Sequence, residues 1–134
     1  MLTESQRILI VDDDPRVLFI LRTTLERIEH GYQIQVAHGG REALEKVEEE
    51  PFDLVITDVR MPGIDGIELV EGIRALKRRT AVIWITAYGC YRLEEDGDRL
   101  AVYCCLDKPL RIGEIRQAAQ EALAMVPASR KRVE

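Results

Sequence analysis

Leu54-Val55-Ile56-Thr57-Asp58-Val59-Arg60-Met61-Pro62-Gly63 is the stretch from which the fold of this 134-residue chain can be read. An uncharged run with strand propensity delivers one carboxylate, Asp58, and Met61-Pro62-Gly63 then turns the chain. An apolar run without alternation, bounded by a turn, reads as a strand buried on both faces. In a parallel sheet, functional groups collect outside the carboxyl ends of the strands. Asp58 would therefore sit on a rigid strand and face solvent. Taken alone it reads first as an ordinary strand-end Asp starting a turn, and the rest of the chain changes that balance.

Working outward, Ile8-Leu9-Ile10-Val11 is a second apolar run and ends in Asp12-Asp13-Asp14-Pro15. Asp14 before Pro15 reads as a helix N-cap. Asp12 and Asp13 have no such explanation, since adjacent carboxylates repel unless a positive group lies between them. The helix from about Pro15 to Glu29 places Val17, Leu18, Leu21, Leu25 and Ile28 on one stripe. A short strand follows at 33–37, then Gly39-Gly40 and a helix from about Arg41 to Glu49. Beyond Gly66 a helix runs to about Lys77, and 81–85 is a buried strand ending at Thr86-Ala87. Residues 88–100 carry few apolar positions and include Gly97, so a short or mobile helix is expected there. A fifth strand at 101–106 ends in Asp107-Lys108-Pro109, and a last helix from about Ile112 to Met125 is expected to turn Ile112, Ile115, Ala119, Ala122 and Val126 inward. Residues 1–126 thus form one domain, and 127–134 read as a tail or linker stub.

Strands alternating with helices predict an α/β domain. The expected architecture is a doubly wound, five-stranded parallel sheet of order 2-1-3-4-5, flavodoxin-like, with helices on both faces. That order gathers Asp12, Asp13, Asp58, Thr86 and Lys108 at one edge. Three carboxylates carry −3, which Lys108 and one divalent cation neutralise. Oxygen-only ligands suit Mg²⁺, and a hydroxyl with an ammonium suits phosphoryl oxygens.

Composition bounds the rest. Apolar residues are 46% and charged residues 32%, with net charge −5. This argues against direct nucleic-acid binding by the domain. No run approaches the roughly 18 apolar residues of a membrane span. The three cysteines, Cys90, Cys104 and Cys105, show no Cys-x-x-Cys spacing, so neither a zinc site nor a disulfide framework is expected. A reduced, cytoplasmic setting fits.

Ile-Val-Asp12-Asp13-Asp14-Pro, Thr-Asp58-Val-Arg-Met-Pro62-Gly-Ile-Asp-Gly66, Ile-Thr86-Ala87 and Asp-Lys108-Pro109 occur in order and together resemble the signature blocks of the bacterial two-component response-regulator receiver domain. The resemblance covers about residues 7–126. It implies that Asp58 is the phosphoacceptor and that Thr86 and Lys108 contact the phosphoryl group. It implies Mg²⁺ held by Asp13 directly, by Asp12 mainly through water, by Asp58 and by the backbone carbonyl of Arg60. A cis Lys108–Pro109 bond is also implied. The partners it implies are a sensor histidine kinase and a downstream output domain or protein, and it leaves room for a phosphorylation-dependent homodimer. The only catalysis implied is of the domain's own phosphorylation and dephosphorylation.

One position departs from the pattern. The aromatic residue usual three before the Lys is replaced by Cys105. Tyr103 is expected on the same strand face, and it or Tyr88 would have to take over the readout. Two other readings compete. An unphosphorylated interaction module would not need all five site residues. A Mg²⁺-dependent hydrolase of the haloacid-dehalogenase kind would need an Asp-x-Asp nucleophile, whereas Asp58 is followed by Val59-Arg60.

Overall fold

The computed structural model describes residues 5–28 and 31–126. Five strands, β1 (Arg7–Val11), β2 (Gln33–Ala37), β3 (Leu54–Asp58), β4 (Ala81–Thr86) and β5 (Cys104–Asp107), alternate with helices α1 (Pro15–Glu26), α2 (Gly40–Glu49), α3 (Gly66–Ala75), α4 (Glu94–Arg99) and α5 (Ile112–Ala124). A 3-10 turn, Cys90–Leu93, precedes α4. The sheet is parallel throughout, in the order β2-β1-β3-β4-β5. This is the expected doubly wound architecture.

Strand side chains alternate between faces, so a strand covered on both sides must be apolar throughout. Ile8, Ile10, Leu54, Ile56, Ile83 and Ile85 pack with α1 and α5 through Leu21, Leu25, Ile115 and Ala119. Leu9, Val11, Val55, Val82 and Trp84 face the other way, onto Ala43, Val47, Leu69, Val70 and Ile73 of α2 and α3. Each fully buried Leu or Ile contributes about 1.5–3 kcal/mol of transfer free energy. The two layers therefore fix β3 and its terminal carboxylate rigidly.

Local signals set the helix ends. Asp14 caps α1, its side chain accepting from the Arg16 N–H at 2.9 Å. Asp65 caps α3 in a capping box with Glu68. Gly66 opens α3 where a Cβ would lie 2.5 Å from the Asp58 carbonyl oxygen and 2.7 Å from the Val59 Cα. Only glycine lets the helix start so close behind the end of β3.

Several expectations need correction. α1 ends at Glu26, and Glu29 lies outside the described residues. Ile112 is 56% exposed, because α5 packs instead through Ile115, Ala118, Ala119, Ala122 and Leu123. β5 begins only at Cys104, since the chain is still leaving α4 at Ala101 (φ 56) and Val102, whose N–H donates to the Gly97 carbonyl at 2.9 Å. Tyr103 therefore does not share a face with Cys105. It packs on the α1/α5 side and its hydroxyl lies 3.1 Å from Glu121 of α5, while Cys105 packs on the opposite layer. Residues 88–100 form a short helix as expected, with no buried residue in α4 itself. Residues 127–134, expected as a tail, fall outside the described residues.

Candidate functional site

The sheet's register sets the site. Val11 pairs with Thr57, Asp58 with Ile85, and Thr86 with Asp107. The carboxyl ends of β1, β3, β4 and β5 are therefore nearly level, and the residues just beyond them meet at one edge. Asp12 is fully buried, Asp58 nearly so and Thr86 fully buried, while Asp13 is exposed.

Lys108 Nζ stands between two carboxylates, 3.2 Å from Asp12 Oδ2 and 3.4 Å from Asp58 Oδ2. The other Asp12 oxygen accepts from the Asp14 N–H at 2.8 Å. The Thr86 hydroxyl accepts from the Tyr88 N–H at 2.8 Å, so its own proton remains free to point elsewhere. The Lys108–Pro109 bond is cis.

Burial pushes the Asp58 carboxyl above the ordinary carboxylate range, and Lys108 with the backbone of Val59 and Arg60 only partly offsets this. Asp12 is raised in the same way, by burial and by the neighbouring Asp58 charge. Burial alone would lower the Lys108 ammonium, but Asp12 and Asp58 outweigh it and hold it protonated above its usual range. One cation thus serves two buried anions.

The donor set fits a hard divalent cation. Asp12, Asp13 and Asp58 each offer a carboxylate oxygen, all within 4.8 Å of one another. With Lys108 counted, the cluster carries −2, which Mg²⁺ would cancel. Exposed Asp13 leaves a solvent side on which such an ion could keep its waters.

The model of the response regulator receiver domain matches residues 8–120. The chain belongs to that family. It is 34% identical over 121 residues to sporulation initiation phosphotransferase F of Bacillus subtilis, covering 90% of this chain and 96% of that one. It is 38% identical over 117 residues to the transcriptional regulatory protein ZraR of Escherichia coli, covering 87% of this chain but only 26% of that protein. Among solved structures it is similar to the response regulator TrrA of Thermotoga maritima in complex with Mg²⁺ and BeF, with TM-score 0.76 and 36% identity over 87% of this chain and 98% of that one. The protein is thus a receiver, a signalling module that switches on phosphorylation.

Two contacts of this receiver go beyond what the sequence reading placed. Arg60 lies over the Tyr88 ring at 4.1 Å, and Arg92 lies 5.0 Å from the same ring and 5.2 Å from that of Tyr91. Tyr88 is thus flanked by two guanidiniums beside the acidic cluster. Second, Cys90 and Cys105 form a disulfide, with Cα atoms 5.8 Å apart. This overturns the expectation of no disulfide. The spacing rule looked for clustered cysteines, whereas these two are 15 residues apart and are brought together by the β4–β5 crossover. In sequence, Cys105 stands in the usual aromatic position and its partner Cys90 lies four residues after Thr86.

Proposed function

We propose that Asp58 is the phosphoacceptor and that a sensor histidine kinase supplies the phosphoryl group. The observation that carries this is the nearly buried Asp58 carboxylate on the end of β3, 3.4 Å from Lys108 and grouped with Asp12 and Asp13. An Asp58 oxygen attacks phosphorus in line, a bond from that oxygen to phosphorus forms, and the bond to the donor's nitrogen breaks, its electron pair leaving with the donor. Lys108 is held protonated and neutralises the transferred phosphoryl oxygens. Thr86 turns its free hydroxyl proton toward them. Asp12, Asp13, Asp58 and the Arg60 carbonyl would hold Mg²⁺, which offsets charge on the phosphoryl group in the transition state.

The acyl phosphate is a dianion where Asp58 had one charge, so Lys108 and Thr86 are drawn inward. β4 and β5 shift with them, and the surface beside them is re-presented to an output domain or protein. The name of the Escherichia coli relative favours a transcriptional output. A cytoplasmic setting accords with the partners proposed, although the Cys90–Cys105 bond departs from the fully reduced state expected from the cysteine spacing.

The test is incubation with acetyl phosphate and Mg²⁺. One added phosphoryl mass, released by hydroxylamine and abolished in Asp58→Asn, supports the assignment. A label mapping to Asp12 or Asp13 would refute it.

A further inference from the structure

The segment between Thr86 and Lys108 contains the weakest-packed part of the sheet's cover. No residue of α4 is buried. Its ends are held by Leu93 and Leu100 in the core layer, by Arg99 on Glu71 of α3 at 3.1 Å, and by Arg74 on the Leu100 carbonyl at 2.8 Å. The N-terminal end is held differently. The Cys90 N–H donates to Asp107 Oδ1 at 2.9 Å, and the Cys90 sulfur is bonded to Cys105. Cys90 lies four residues past Thr86, and Cys105 three before Lys108. The bond therefore joins the turn that follows Thr86, the last residue of β4, to β5, the strand that leads into Lys108.

We propose that Cys90 and Cys105 are a reversible redox modification site through which a low-molecular-weight disulfide gates phosphorylation of this receiver; the inference rests on the acceptor reading above. Two apolar layers already cover the sheet, so the fold does not depend on a staple as small disulfide-rich domains do. Both cysteines are half-buried at the surface of the segment that must move. Cys104, though adjacent in sequence, packs on the opposite layer. Burial and Glu121 push its thiol up to about 11, so it stays protonated and does not compete in exchange.

The step balances. One cysteine thiolate attacks a sulfur of the small disulfide, a mixed disulfide forms and one small thiolate leaves. The second cysteine sulfur attacks the protein sulfur of that mixed disulfide and the second small thiolate leaves. Two electrons pass from the cysteines to the oxidant, and the two thiol protons end on the released small thiols. In the oxidised form Thr86, Tyr88 and Arg92 are tethered to β5, and the inward shift of Thr86 that answers the phosphoryl charge is opposed.

Oxidised glutathione on the reduced chain, checked by denaturing alkylation and mass, is the direct experiment. Oxidation should leave one alkylatable cysteine of the three. Phosphorylation by acetyl phosphate with Mg²⁺ should then slow by about 5-fold or more, the low end of ordinary site-to-site coupling. Dithiothreitol should restore the rate. Cys90→Ser and Cys105→Ser should phosphorylate at one rate in both buffers, and Cys104→Ser should respond as the wild type does. Failure of oxidised glutathione to form the bond, or equal rates with the bond present and absent, overturns the proposal while leaving the acceptor assignment standing. Phosphorylation in neither state overturns both.

Discussion

Asp58→Asn should stabilise the receiver when divalent cations are removed. The wild-type site holds two buried carboxylates against one ammonium. At 3.4 Å and an effective dielectric near 20, the Asp58–Lys108 attraction is about 5 kcal/mol. Repulsion from Asp12, whose oxygen lies within 4.8 Å, is about 3.5 kcal/mol or more on the same scale, and exposed Asp13 adds a screened repulsion. The Coulomb terms nearly cancel, so desolvation decides the sign. Burying a carboxylate costs several kcal/mol, more than burying an amide. A gain of about 1 kcal/mol is expected, or a melting temperature raised by roughly 3–5 °C for a domain of this size. The gain should depend on pH in a defined direction. Asp58 titrates above its ordinary value in the folded protein, so the folded state binds its proton more tightly. Wild-type stability therefore falls as pH rises through the window from the unfolded to the raised folded pKa. The asparagine variant loses this carboxyl and also the Asp58 charge that helps to raise Asp12. Its advantage should be full at pH 7.5 and shrink as the pH is lowered through that window. Mg²⁺ at about 100 times its dissociation constant should add roughly 2.7 kcal/mol to the wild type and less to the variant, which lacks one ligand. Thermal melts in EDTA and in Mg²⁺, at several pH values, read all three effects. A variant that melts below wild type in EDTA at pH 7.5, by an amount independent of pH, would refute the charge argument.

The tyrosine between two guanidiniums bears on lifetime: Tyr88, 40% exposed and 4.1 Å from Arg60, should shield the acyl phosphate from water, so Tyr88→Glu and Arg60→Asn should both shorten its half-life, and equal or longer half-lives in both would sink the idea. Gly66→Ala should slow phosphorylation several-fold without unfolding the chain, because its Cβ would push on the Asp58 backbone from 2.5 Å; an unchanged rate would show that the β3 end tolerates the shift. Reduction of the disulfide opens a loop of 15-residue separation and should lower stability by up to about 3 kcal/mol in chain-entropy terms, visible as a lower urea midpoint; an unchanged midpoint would mean the oxidised form stores compensating strain.

The sheet was legible because its strands are buried on both faces, which forces uninterrupted apolar runs such as 8–11 and 54–56. The polar residues ending those runs then had to meet, and Asp12, Asp13, Asp58 and Lys108 do so. Edges were harder. β5 pairs on one side only, so its apolar pattern is weaker, and its start was displaced by the turn leaving α4. The face of Tyr103 was misread for the same reason: strand alternation holds only inside the strand, and Tyr103 precedes it. Nor could spacing reveal the Cys90–Cys105 bond, which depends on where a crossover returns the chain.

The misread residues and the legible ones act on the same motion. Phosphorylation adds negative charge to a cluster in which one ammonium already answers two buried anions. The added charge must be met by Thr86, at the end of β4, and Lys108, just past the edge strand β5, since Asp58 ends and Asp12 directly follows strands nearer the middle of the sheet. Many receivers report that movement through an aromatic side chain three residues before the lysine, by the family resemblance. Here the position is Cys105, bonded back to the segment that follows Thr86. A covalent link cannot swing as a ring does; it can only transmit displacement or resist it. With Tyr88 and Arg92 in the tethered stretch and Tyr103 turned to the other layer, this receiver has no free aromatic on that face of β5. Its response to phosphorylation therefore has to pass through the β4–α4 segment itself, and the thiol–disulfide state of Cys90 and Cys105 sets how far that segment can move.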